Sequence, residues 1–431
     1  MSVIPYDLES PAAPMPARLP QWVGPLLAFF TLAVLFSTAL TNIMAVLVSA
    51  AAVWIWARMR PLQLLKHPLL WSCLVLVGWI ALRDALAAAA PQQVLQSVAS
   101  FRTLLFIALW APLFLAPQVR QAVLKAGVGG LAAFALLTLS VFALTGQMPY
   151  PGYVSPDALW PLGLDPMMAS LVKRAPNLAG PVLLVVIFGS LQHVIDHPQR
   201  RRWLILLAAL CTLALFVSSM RRSSQLGFLV CAFAFAVLNR RHLKGRTAMV
   251  GAACIAVVLT LAALGPARHA LQRVVDGSEQ FILASPQERN KQQTSESERL
   301  HFWTVAQQIV IESPWVGTSV SSYLGRYLKI DSDPTSLAPR HGNPHNEYLY
   351  VWGSLGAVGL ALYLLTLVSA WRCTGGHPGE RKLMAYYLAA VLPNLAANSY
   401  VVDMVPGHVH TLVLLLLAGP ALQAAAARGG R

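Results

Sequence analysis

Arg340-His341-Gly342-Asn343-Pro344-His345-Asn346-Glu347-Tyr348-Leu349 stands where a long polar stretch meets a long apolar one. Residues 266–340, before it, hold much of the chain's Glu, Gln and Ser, and Tyr348–Ala370, after it, is almost wholly apolar. Asn343 and Pro344 read as a helix start. Asn is a good N-cap, and Pro at the first helical position gives up an N–H that had no partner. His345 is then expected in the first turn of a membrane helix, where free backbone N–H groups favour anions. The same positive helix end disfavours a charged imidazole. A neutral imidazole at a membrane surface beside an anion site is a candidate general base. The plainer alternative is a histidine that merely sits at the interface.

Outward from this stretch, the composition is that of a membrane protein. Of 431 residues, 56% are apolar and 11% are charged, against about a quarter charged in soluble domains. Apolar runs of membrane length recur along the whole chain. The formal charge of +15 would suggest nucleic acid in a soluble protein. Here the basic residues fall in short loops and no nucleic-acid-binding pattern accompanies them, so the expected surroundings are membrane lipids and no nucleic acid. Cys73, Cys211, Cys231, Cys254 and Cys373 lie in apolar spans or in a loop assigned to the cytoplasm, which argues against disulfides and a Cys-based metal site.

The hydropathy pattern predicts an all-α polytopic protein with about twelve transmembrane helices and a helical periplasmic segment before the tenth. The expected spans are Trp22–Ser37, Asn42–Trp56, Leu69–Leu86, Val98–Leu115, Val123–Leu144, Leu178–Leu191, Trp203–Val217, Gln225–Leu238, Ala248–Leu264, Tyr348–Ala370, Leu383–Val402 and His408–Leu422. Residues 1–20 read as a disordered cytoplasmic tail without a cleavable signal. Residues 21–265 carry spans one to nine, 266–345 form the periplasmic segment, and 346–431 carry spans ten to twelve and a cytoplasmic tail. Clusters such as Arg200-Arg201-Arg202 and Arg240-Arg241-His242-Leu243-Lys244-Gly245-Arg246 mark the cytoplasmic loops by the positive-inside rule. Both termini are then cytoplasmic, and the His345 stretch faces the periplasm if the host is Gram-negative.

A few cations run against that rule. Arg83, Arg102, Lys173-Arg174, Arg221-Arg222 and Arg299 all fall on the outer side. Any one of them could be a snorkelling side chain. Several on one face suggest an anion site, because an Arg fork makes two hydrogen bonds to phosphate at once. In the outer segment, Ser295-Glu296-Ser297-Glu298 matches a capping box. Phe302, Val305, Ala306, Ile309 and Val310 follow at helical spacing until Ser313-Pro314, so a helix should carry Arg299 in its first turn. A second helix is expected over Ser319–Leu328. No Asp-x-Asp or His-Glu-x-x-His occurs, and Pro344 separates His341 from His345, so no metal is expected. A P-loop and Gly-x-Ser-x-Gly are also missing.

In combination, several elements resemble the O-antigen ligase and polymerase superfamily. Val217-Ser218-Ser219-Met220-Arg221-Arg222-Ser223-Ser224-Gln225-Leu226-Gly227 is similar to its Ser-Arg turn. Arg299-Leu300-His301-Phe302-Trp303 is similar to its Arg-x-x-x-Trp helix, and Ser313-Pro314-Trp315-Val316-Gly317 to its Ser-Pro-x-x-Gly turn. His341-x-x-x-His345-Asn346-Glu347-Tyr348-Leu349, followed by Gly356-x-x-Gly359, resembles its His-Asn signature. Arg174-Ala175-Pro176-Asn177 resembles a weaker upstream element. The motifs come in family order over about half the chain. Met220-Arg221-Arg222 departs from the simple Ser-Arg pattern; Arg222 is the better match, since Leu226 then takes the apolar position four residues on.

Within the superfamily the O-antigen ligase fits best, because protein O-oligosaccharyltransferases often carry an extra soluble domain. The resemblance implies a GT-C-type glycosyltransferase without a cofactor. It would move a glycan from undecaprenyl-diphosphate-linked O-antigen to a sugar hydroxyl of lipid A–core at the outer face of the inner membrane. His345 would be the catalytic base, and Arg222, Arg299, Arg221, Arg174 and His341 would bind substrate. An O-antigen polymerase or a protein O-oligosaccharyltransferase is the near alternative. A transporter of lipid-linked glycans is the far one, and it would show inverted repeats and helices broken at the midplane.

Overall fold

The computed structural model of the chain describes residues 19–145, 176–197, 199, 201–218, 222–242, 295–331 and 343–428. Among these residues all regular structure is helical. The first nine helices are α1 (Val23–Phe36), α2 (Thr38–Met59), α3 (Pro68–Leu86), α4 (Pro91–Ser100), α5 (Arg102–Trp110), α6 (Pro117–Thr145), α7 (Pro176–Asp196), α8 (Arg201–Ser218) and α9 (Arg222–Leu238). Then come α10 (Ser295–Glu312), α11 (Val320–Ile330), α12 (Glu347–Cys373), α13 (Pro378–Leu395) and α14 (Met404–Arg428). The ninth expected span, the 1–18 tail and most of the polar intervals lie outside the described residues.

Five helices, α2, α3, α6, α12 and α14, are long and apolar enough to cross a membrane, and α4 with α5 makes a sixth. Shorter apolar helices, α1, α7, α8 and α9, stand beside them. The chain is therefore an all-helical, multi-pass membrane protein. Helices this apolar on every side must face either lipid or each other. In the bundle, α1 packs on α6, α8 on α6 and α7, α13 between α7 and α9, α12 on α3, and α14 on α5.

Three expectations need correction, each for a local reason. The fourth span is not continuous: α4 and α5 meet at a 68° bend. Carbonyls freed near the bend are taken by side chains, Ser100 Oγ donating to Ser97 and Arg102 Nη1 to Ala99. Arg102 thus opens a helix instead of riding along one. The eleventh span stops at Leu395, and residues 396–403 form a non-helical loop before α14. The tenth span is broken. Gly356 has φ 73° and ψ −177°, a backbone that only glycine adopts without strain.

That break is sealed by the turn between α10 and α11. Gly353 and Ser354 accept from the N–H groups of Thr318 and Ser319, while Ala357 and Val358 donate to Pro314 and Trp315. Trp79 Nε1 takes the carbonyl of Leu355 at 3.0 Å. Irregular backbone is tolerated at membrane depth only where protein satisfies it, and here protein does. The approach is close enough to demand a second glycine. A Cβ on Gly317, itself at φ +71°, would lie 2.4 Å from the Ser354 carbonyl carbon. The Ser313-Pro314-Trp315-Val316-Gly317 and Gly356-x-x-Gly359 motifs are thus two halves of one joint.

Candidate active site

The first turn of α12 differs from its sequence reading. The N-cap is Asn346, whose side chain accepts from Leu349 N at 3.1 Å. Asn343 and Pro344 lie outside the helix, and His345 is the residue before the cap, in left-handed backbone at φ +50°. Asn343 is used differently: its Oδ1 accepts from His345 N at 2.9 Å and from Ser399 Oγ at 2.8 Å. Two asparagines competed for the cap, and the one that left Asn343 free to hold the 396–403 loop prevailed. His345 therefore sits on a tight turn, half-buried, on the approach to the helix.

Glu347, the first residue of α12, was not singled out from the sequence. It is fully buried, and its Oε2 accepts from Tyr400 N at 2.6 Å. Val401 N donates to the same oxygen at 3.4 Å. A carboxylate at a helix N-terminus is favoured by the free N–H groups there. Here it also fastens the 396–403 loop two residues from His345. The signal in the sequence was a lone acid opening an apolar helix.

The same loop holds other helix starts. Thr103 Oγ1, in the first turn of α5, donates to Val401 O at 2.8 Å. Asn394 and Asn398 each reach Ser223, by its carbonyl and its hydroxyl, both at 3.4 Å. Ser223 is the second residue of α9, directly after Arg222. The start of α7 is close too, since a Cβ on Gly180 would meet Ser224 Oγ at 2.3 Å. The N-terminal ends of α5, α7, α9 and α12 thus gather at one end of the bundle, around residues 394–403.

α10 brings in the remaining arginine. Its buried stripe, Phe302, Val305 and Ile309, packs with Tyr323 and Tyr327 of α11. The ring of Phe302 lies 6.2 Å from that of His345. Arg299 is half-buried one turn earlier on the same face of α10. Of the site residues expected from the sequence, the structure brings His345 to the helix of Arg299 and, through the 396–403 loop and Asn394 at the end of α13, near the start of α9. Arg222 opens α9, but its side chain lies outside the described residues, as do Arg174, Arg221 and His341 altogether.

Two other outer cations turn out to have partners. Arg83 donates from Nε to Val316 O and from Nη2 to Gly317 O, both at 2.7 Å. It serves the joint and is withdrawn from the set facing an anion. Arg102 lies near Asp403. Desolvation by the loop pushes the Asp403 carboxyl up, and the Arg102 charge opposes that shift. Basic residues such as Arg58, Arg240, Arg372 and Lys382 fall at the other end of their helices. Among the described residues, no three His, Cys, Asp or Glu side chains come together as metal ligands would.

Comparison with curated proteins gives no match. Residues 206–364 match the family model described as O-antigen ligase. That span encloses Arg222, Arg299, His345 and both glycines of the joint, and over it the chain is similar to the O-antigen ligase family.

Proposed function

We propose that this protein is an O-antigen ligase, a metal-independent, inverting transferase with about twelve spans and a GT-C-type fold. The donor is a glycan on undecaprenyl diphosphate and the acceptor a sugar hydroxyl of lipid A–core, at the periplasmic face of the inner membrane. Both termini are cytoplasmic. One observation carries the reading. The turn of His345, the helix of Arg299 and the start of α9 meet at one end of the bundle.

In this reaction the acceptor oxygen attacks the anomeric carbon in line. The carbon–oxygen bond to the diphosphate breaks, and its electron pair stays on the leaving group. His345 takes the acceptor's proton, which converts a poor nucleophile into a good one. Arg222 and Arg299 stabilise the charge gathering on the diphosphate, in the role that preformed donors play for any developing anion. Arg221 and Arg174 extend the anion site, and His341 helps seat the acceptor. Among the described residues no second carboxylate is placed as a nucleophile for a covalent glycosyl-enzyme, which favours inversion of configuration.

A transporter reading would need free polar groups at the break in α12. The groups there are occupied by the α10–α11 turn and Trp79. Purified protein incubated with lipid-linked glycan and lipid A–core, without added metal, tests the proposal. Glycan on lipid A–core is the expected product. Elongated lipid-linked glycan without transfer to lipid A–core would make it a polymerase instead.

A further inference from the structure

The turn that seals α12 also presents an apolar tip that the described residues leave uncovered. Ile311 is 76% exposed, Trp315 73% and Val316 43%. Around them the protein is close-packed: Gly317 is pressed on the α12 backbone, and Trp352 Nε1 donates to Pro314 O. The exposed side chains therefore belong to a rigid tip and not to a loose loop.

Its height along the bundle is readable from α12. Trp315 O accepts from Val358 N at 3.3 Å. Val358 lies fourteen residues before Arg372, about 21 Å along a helix. A hydrocarbon core is about 30 Å thick. With Arg372 at one edge, the tip lies inside the half nearer α10 and α11. Its neighbours agree. Val358, Leu365 and Val368 form an exposed apolar stripe down α12, and Leu82 and Leu86 one at the end of α3. The tip continues that lipid-facing surface.

The charges beside the tip are already neutralised or capped. Glu312, three residues before Trp315, is ion-paired with Arg326 on the opposite arm, and that pairing holds its carboxyl below the usual range. The Arg83 guanidinium covers the two tip carbonyls of Val316 and Gly317. The Glu312–Arg326 pair sits about one turn, on the order of 5 Å, behind Trp315 and level with Ile311. That matches the shallow depth at which interfacial segments lie, with Trp in its favoured place.

We infer that the α10–α11 hairpin is monotopically inserted: Trp315 and Val316 dip into the acyl chains of the leaflet facing α10 and α11, with Ile311 at their edge. The hairpin is thereby anchored to the bilayer at its tip while Phe302, four turns away, stays against His345. The inference is independent of the reaction, so its failure leaves the proposed function standing.

The full chain labelled with 5-fluorotryptophan, in lipid nanodiscs, tests it by fluorine NMR. The Trp315 resonance is assigned as the one missing from Trp315→Phe, which keeps an apolar ring; Trp315→Tyr gives a second assignment should the first variant fold poorly. Lipid carrying a spin label at carbon five should broaden that resonance severalfold, and an aqueous gadolinium chelate should leave it sharp. Broadening by the chelate, or by neither agent, overturns the inference.

Discussion

Two joints hold α12, and they are built differently. At Gly356 the contact is backbone to backbone: four main-chain hydrogen bonds join residues 314–319 to residues 353–358, with glycines on both sides. At the helix start the contact is side chain to loop: Asn343 holds Ser399, and Glu347 holds Tyr400 and Val401. The first joint leaves no room for a Cβ at Gly317 or Gly356 and fixes α10 on α12. The second is made of polar side chains around a reactive residue and fixes His345 against the loop shared with α9. A glycine joint sets the frame, and a polar joint sets the distance within it.

The glycine joint should give the largest effect. A Cβ at Gly356 would lie 2.2 Å from the Trp315 carbonyl oxygen, at φ +73°. Backbone atoms cannot swing aside as a side chain can, and the left-handed conformation adds strain of its own. Gly356→Ala is expected to cost on the order of 3 kcal/mol or more, read as loss of monodisperse, heat-resistant protein. An alanine variant with wild-type melting behaviour would break the contrast between the two joints.

Arg299 depends on the glycine joint for its position and on charge for its effect. Arg299→Ala and Arg222→Ala should each lose roughly a hundred- to thousand-fold in transfer, as removal of a transition-state donor does, with the fold intact. Lysine should restore little, because a point charge cannot reproduce a two-pronged contact. Near-normal rates in both alanine variants would move the anion site towards Arg174 or Arg102.

A smaller effect is expected at the polar joint. Glu347→Ala removes an acceptor of two buried N–H groups and should cost about tenfold in turnover, on the order of 1–2 kcal/mol. Donor affinity should change little. Glu347→Gln keeps an oxygen for Tyr400 N and should recover most of the rate. Equal losses for Ala and Gln would mean that the carboxylate acts otherwise than as a tether.

Much of this was legible because it is local. Ser313-Pro314 ends α10 after Glu312 as its breaking chemistry predicts, and Ser319 caps α11 through the N–H of Ser322. What was hidden depends on partners far along the chain. Asn343 and Asn346 are equal as caps by residue type, and only Ser399, fifty-six residues on, decides between them. Arg83 looks like an anion ligand until the turn of Val316 and Gly317 is seen to fill its fork. Glu347 looks like an ordinary acid in a first turn until the 396–403 loop folds over it. Gly356 carries a family spacing in the sequence, but the broken helix it permits needs the α10–α11 turn to exist.

His345, fixed by the polar joint beside the helix that the glycine joint positions, is expected to be the base. The most direct measurement is the initial rate of glycan transfer by purified His345→Ala, with donor binding measured on the same sample. The expected result is a loss of about a hundred- to ten-thousand-fold in rate, with donor binding retained and a milder loss for His341→Ala. Transfer by His345→Ala at close to the wild-type rate, or a dead His341→Ala beside an active His345→Ala, would contradict it.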